Sequence, residues 1–361
     1  ISTLITILLF LSSCMKEEQL WDFEKQQLNK PYKGLFIVNE GNFMYGNASL
    51  SYYDLKTREV FNNVFYETNA LPLGDVAQSM SIRDSLGYIV MNNSGKIMVI
   101  NLNTFTFAGK ITGLTSPRYM HFISDTKAYV TDLYARAITI VNPQTLEITG
   151  SIDISNTGSE FPQHSADQMV QYGKYVFTNC WSHDNKILVI DSEFDKLIDS
   201  VEVIIQPTSL VIDKHDQIWA LCDGGFQGNP YGHERPGLMR IDAKSLETDT
   251  IALFDKADQP TGMAINGSKD TIYYINQHVY RRSVLPGSES ELFIESPYKE
   301  GFSGGFYSLE VDPASSEVYV SDAIDYVQNG VVYRYQPDGM ALDTFKVGIT
   351  PGSFCFKPAK K

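Results

Sequence analysis

Glu40, Asn179 and Asp223 offer the carboxylate and amide oxygens that hold a hard divalent cation, and each lies at or beside the end of an apolar run. The position recurs. Asn39, Asn92, Asp132, Asn179, Asp223, Asn276 and Asp322 close runs such as Phe36-Ile37-Val38, Ile89-Val90-Met91 and Tyr319-Val320-Ser321, at steps of about 40–53 residues. An Asx side chain mimics a backbone turn, so a cap in every repeat accounts for all seven copies, whereas a cation set accounts for three. Capping is the favoured reading, and no metal is expected. His164, His183, His233 and His278 have no Ser-His-Asp order or nucleophile elbow around them and read as polar contacts. No Walker-type phosphate loop and no paired-Cys zinc spacing occurs.

The element that positions these residues is a short β unit. A second alternating run closing on Asx and a turn follows in most repeats, as in Ser51-Tyr52-Tyr53-Asp54, Met98-Val99-Ile100-Asn101 and Thr139-Ile140-Val141-Asn142; the sixth repeat, Val279-Tyr280-Arg281-Arg282, loses it. A third run such as Glu147 to Ile152 and a fourth such as Thr208 to Asp213 complete the unit. Four strands per unit make the blade of a β-propeller, because such a unit cannot bury its apolar faces alone. Seven units predict an all-β, seven-bladed propeller over 33–357 with four-stranded antiparallel blades. The run Gly352 to Phe356 lacks a unit of its own and is expected to complete the first blade, closing the ring without a free edge.

In such a ring the loops from second to third strands, and from fourth strands to the next first, gather on one face. Here those loops are the long ones, rich in aromatics, amides and glycine, while the opposite turns (Lys56-Thr57, Asn103-Thr104) are short. The candidate ligand contacts are therefore Glu40, Phe43, Tyr45, Arg118, Tyr119, Tyr134, Gln163, His164, Trp181, His183, Phe226, Tyr231, Phe302, Phe306 and Tyr326, with the seven Asx residues beneath them. Rings beside neutral hydrogen-bonding groups suit a large polar organic molecule or a sugar.

The net charge of −14 argues against nucleic acid and anionic membrane surfaces as partners. Residues 1–14 form an apolar run ending Leu11-Ser12-Ser13-Cys14, too short to span a bilayer and shaped like the end of a bacterial lipoprotein signal, with Cys14 as the lipidated residue. The missing Met and basic segment place the first residue inside that signal. Residues 15–32 read as a polar tether, so the membrane is reached through the lipid alone. Cys180 and Cys222 end equivalent strands on neighbouring blades, where a disulfide and two free thiols are both open.

Met15-Lys16-Glu17-Glu18 resembles the tag that carries lipoproteins of the Bacteroidota to the outer face of the outer membrane. Gly34-Leu35-Phe36-Ile37-Val38-Asn39-Glu40-Gly41-Asn42-Phe43, then Gly46 to Asp54, Ser116-Pro117-Arg118-Tyr119, Pro207 to Leu210 and Trp219 to Gly225, resemble the YncE-like seven-bladed lipoproteins of that phylum. Among these the chain is similar to the surface cobalamin-binding lipoproteins. The resemblance implies a cell-surface monomer that captures cobalamin or a related corrinoid as ligand, not as catalytic cofactor, and passes it to an outer-membrane TonB-dependent transporter. It assigns no individual contacts. A glycan-binding propeller is the alternative on the same aromatics. A metal-dependent hydrolase is the third reading, because six-bladed lactonases hold a cation through Glu, Asn and Asp.

Overall fold

Leu35-Phe36-Ile37-Val38 is apolar at every position, which a strand tolerates only when both faces of its sheet are covered. All four are fully buried. Leu35 and Ile37 join a core with Tyr319, Val332 and Val347. Phe36 and Val38 point the other way, into a core with Ile89, Met91 and Met98. The period of two thus splits one strand between two neighbours. The same arrangement repeats at each junction around the ring, giving seven apolar clusters between seven sheets.

The computed structural model describes residues 32–157, 160–161, 163–298 and 305–359. It is a seven-bladed propeller of four-stranded antiparallel blades. The strands nearest the axis are, from blade 1 to blade 7, Pro351–Pro358, Ala77–Arg83, Pro117–Phe122, Ala166–Tyr172, Pro207–Ile212, Thr261–Ile265 and Phe306–Val311. Blade 1 takes its inner strand from the far end of the chain: Pro351–Pro358 pairs with Tyr32–Asn39, with Leu35 opposite Phe356 and Ile37 opposite Phe354. The expected closure is therefore present, and it covers the inner edge of Tyr32–Asn39.

Two local features differ from the sequence expectation. A short α-helix, Val64–Asn69, sits between blades 1 and 2 and buries Val64 and Phe65 in their shared core, an addition to the expected all-β fold. In blade 6 the weak repeat is a tight hairpin, Thr271–Asn276 and His278–Ser283, joined by Gln277 at φ +61°. Cys180, Cys222 and Cys355 are free thiols. The signal and tether expected over 1–14 and 15–32, with Cys14, fall outside the described residues apart from Tyr32.

Candidate ligand-binding site

Every inner strand starts with an irregularity. Register shifts fall between Ala77 and Ser79, Pro117 and Met120, Ala166 and Met169, Pro207 and Ser209, Thr261 and Met263, and Phe306 and Ser308, and on the closing strand between the partners of Val38 and Asn39. An extra residue on one strand is a β-bulge, which re-aims a side chain. Here it turns the second residue of each inner strand to the axis: Gln78, Arg118, Asp167, Thr208, Gly262, Tyr307 and Gly352 all line a central cavity of about 810 Å³.

This ring is lopsided. On blades 2 to 4 it is a fixed polar row. Arg118 Nε donates to Asp167 Oδ1 at 2.7 Å, and Arg118 Nη1 donates to Gln78 Oε1 at 2.6 Å. Both charges are largely buried, which favours the pair only because the geometry is this close. Trp181 covers the guanidinium, 4.9 Å from carbon to ring centre, in cation–π contact. Burial opposes the Arg118 charge, but the Asp167 carboxylate outweighs it and holds the guanidinium above its ordinary value. On blades 6 and 1 the ring carries glycine, and Gly262 sits at φ +56°, where other residues are strained.

Glu40 enters from blade 1, fixed by its amide on Thr350 O at 2.8 Å. Tyr307 donates its hydroxyl to Glu40 Oε1 at 3.0 Å. A Cβ on Gly352 would lie 2.0 Å from that same oxygen, so glycine is what lets the carboxyl reach the axis. Burial pushes Glu40 up to about 7, against the pull of the Tyr307 hydrogen bond and of Arg118. Deeper in, burial also raises Glu310 to about 7, its carboxylate accepting only the Val311 amide among the causes that oppose it. Gln168 Nε2 donates to the Tyr119 hydroxyl at 3.3 Å, and burial raises that phenol to about 12.

The fold prefers Glu40 neutral, so its contribution to stability is full below the ordinary glutamate range and is lost as pH rises through about 7. Glu40→Gln keeps an acceptor for Tyr307 and removes that titration. We expect the variant to gain on the native protein between pH 5 and pH 8 by on the order of 2–3 kcal/mol in urea unfolding. A stability difference that is flat across that range would refute it.

The predicted contacts divide by place. Glu40, Phe43, Asn92, Arg118, Tyr119 and Trp181 line the cavity together. Phe43, Tyr45, Tyr134, Phe226 and Tyr326 are exposed on the loops above it, Phe43 at 64% and Tyr45 at 79%. Tyr326 leans edge-on against Tyr307, with ring centres 5.7 Å apart. Off the axis, His183 stacks on Phe161 at 4.4 Å, with Tyr231 beside that ring; Gln163 bridges to Ser155, and His164 Nδ1 lies 2.6 Å from Asp184. Phe302 is outside the described residues. Phe306 corrects an expectation: it is buried in the core between blades 6 and 7, and its neighbour Tyr307 takes the axis, because one residue along a strand reverses the face.

The Asx residues are a second correction, since only Asn92 among them lines the cavity. Asn39 donates to Ser51 Oγ at 3.0 Å and accepts the Gly348 amide at 3.1 Å. Asp132 accepts the amides of Ser116, Tyr134 and Ala135. Asn179 Nδ2 donates to Pro207 O at 2.6 Å. Asp223 accepts the Gly225 amide and the Gln206 side chain, and burial raises it to about 6. Asn276 donates to Asp258, and Asp322 accepts the Ile324 amide and the Tyr298 hydroxyl. These side chains tie strand ends to neighbouring connections, as capping predicts.

Gln78, Asp167, Gln168, Tyr307 and Glu310 were missed. The available signal was a polar residue directly after Ala or Phe at a strand start, in three of the seven repeats, at Ala77-Gln78, Ala166-Asp167 and Phe306-Tyr307.

The family described as "Domain of unknown function (DUF5074)" matches residues 33–342. No curated protein matches the chain. Among solved structures it is similar to a quinonprotein alcohol dehydrogenase-like protein of Bacteroides thetaiotaomicron VPI-5482 (TM-score 0.67, 16% identity, covering 90% of this chain and 78% of that one). It is also similar to the periplasmic gluconolactonase PpgL of Pseudomonas aeruginosa (0.64, 11%, 89% and 99%) and to the hydrazine synthase of Kuenenia stuttgartiensis (0.61, 13%, 77% and 88%). At these identities the likeness is one of fold alone, and it spans enzymes and proteins of other descriptions.

Proposed function

We propose, for a chain that belongs to the DUF5074 family, that the propeller is a capture protein whose axial mouth binds one large polar organic ligand, of the corrinoid class. The observation that carries this is the lopsided ring: a rigid Gln78–Arg118–Asp167 row roofed by Trp181 faces glycines at Gly262 and Gly352. A guanidinium has five N–H donors, and the two internal contacts use two of them. Arg118 and Gln78 thus offer hydrogen bonds where the opposite wall leaves room. Exposed Phe43, Tyr45, Tyr134, Phe226 and Tyr326 add apolar contact above. Cobalamin, with an apolar ring edge fringed by amides, matches both levels. A closed ring holds these groups in place before the ligand arrives, which limits the ordering cost of binding.

The same proposal anchors the protein through Cys14 at the outer face of the outer membrane, where it passes its ligand to a TonB-dependent transporter; protease treatment of intact cells reads that placement. Isothermal titration with cyanocobalamin at micromolar protein tests the ligand. One site is expected, with quenching of Trp181 fluorescence. Neither heat nor a change in the corrinoid spectrum would remove cobalamin, and signal on a glycan array in its place would transfer the mouth to a sugar.

A further inference from the structure

Away from the axis, blade 4 brings together three donors of different kinds. His164, Cys180 and Asp184 each place one ligand-capable atom within 4.8 Å of the others. His164 stands on the connection entering the blade, held by its amide on Ile154 O and by its carbonyl on the Ala166 amide. Cys180 ends the strand Tyr175–Cys180, opposite Ala166, and is fully buried. Asp184 lies on the next loop, with its Oδ1 on the Asn185 amide at 2.7 Å and its carbonyl on the Gln206 amide at 2.8 Å. Three backbone segments are thus fixed around one point.

We propose that His164, Cys180 and Asp184 form a binding site for a zinc-class divalent metal ion, separate from the axial mouth. One imidazole, one thiolate and one carboxylate are a donor set of borderline softness that suits Zn²⁺ or Co²⁺ better than Mg²⁺ or Ca²⁺. The charges balance, since a thiolate and a carboxylate neutralise a dication, and a neutral cluster is what a buried site requires. Zinc–ligand bonds of roughly 2.0–2.3 Å in a tetrahedron set donors about 3.3–3.8 Å apart. The 2.6 Å His164–Asp184 hydrogen bond therefore opens as the ion enters. On binding, the thiol proton leaves to solvent, and the proton that His164 Nδ1 donates to Asp184 passes by way of solvent to Nε2, which frees Nδ1 to hold the ion. Three protein ligands leave one position open for water or an exchangeable group.

The catalytic alternative for these residues does not fit. In a Cys-His-Asp triad the imidazole lies between the other two, whereas here Asp184 hydrogen-bonds both His164 and Cys180.

The test is Co²⁺ and Zn²⁺ titration of the reduced, folded protein, read by absorbance and by competition with a chromophoric chelator. One equivalent is expected, with a thiolate-to-cobalt charge-transfer band and a rise in melting temperature. Cys180→Ser should abolish the band and weaken zinc by at least about a hundredfold. Cys222→Ser, at the equivalent position of blade 5, should change neither. If Cys180→Ser does not fold, His164→Ala, at a partly exposed position, carries the same expectation for zinc. No uptake by the folded native chain, a band that survives Cys180→Ser, or a band lost with Cys222→Ser would each overturn the assignment.

Discussion

A chain ending at Thr350 is expected to show no cooperative unfolding transition and to self-associate. Residues 351–358 are the inner strand of blade 1, and they pair along the whole of Tyr32–Asn39. Without them that strand shows an open edge to the axis, a template for pairing with another chain. The loss reaches beyond hydrogen bonds. Phe354 packs in the blade 7–blade 1 core with Leu35, Ile37 and Tyr319, while Lys357 reaches from blade 1 to the Leu102 carbonyl of blade 2. Ser321 donates to Pro351 O at 2.7 Å, joining blade 7 to the closing strand. Phe354→Ala alone should cost about 3 kcal/mol, against a whole-domain stability of roughly 5–15 kcal/mol. Urea unfolding and light scattering of the truncated chain, beside Phe354→Ala, check this. A truncated ring that melts as a monomer near the native temperature would show that closure contributes little.

The fold was legible because its determinants are local and repeated. An apolar run closed by Asx marks the second strand of each blade, and seven copies at near-constant spacing count the blades. Closure followed from arithmetic, since blade 1 lacked an inner strand and one strand remained at the far end. What escaped was whatever depends on a single residue's register. The helix Val64–Asn69 is too short to show a period. Phe306 and Tyr307 differ by one position, and a bulge that the sequence does not announce decides which of them faces the axis.

The candidate site was legible at its rim and only in part at its centre, where Glu40, Arg118 and Tyr119 stood out but Gln78, Asp167 and Tyr307 did not. Exposed aromatics on long loops, such as Phe43 and Tyr45, stand out in sequence because an exposed large apolar side chain is costly without a use. The axial residues sit in strands, where Gln78 or Asp167 reads as an ordinary outward polar position. The Asx ring misled in the opposite direction, since its residue types match a cation site while its atoms satisfy turns. Residue type set which chemistries were possible, and hydrogen-bond partners decided among them.

Arg118→Met should produce the largest point effect, on stability and on binding together. It leaves the Asp167 carboxylate buried without its cation and Gln78 without its donor, a loss of about 3–5 kcal/mol by comparison with broken buried pairs. Binding at the mouth should fall by at least about a hundredfold, since the one fixed cation lining the row is gone. These two losses have separate causes, and a second substitution separates them. Arg118→Met with Asp167→Asn removes both charges, so most of the stability should return while ligand binding does not. Arg118→Lys should fall between, because an ammonium keeps the charge but cannot meet Asp167 and Gln78 as a planar fork or lie flat under Trp181. Urea midpoints and titration heats on the three variants decide it. Binding restored in the double variant would make Arg118 a structural strut of the channel wall, and the contact with ligand would then have to come from the aromatic rim.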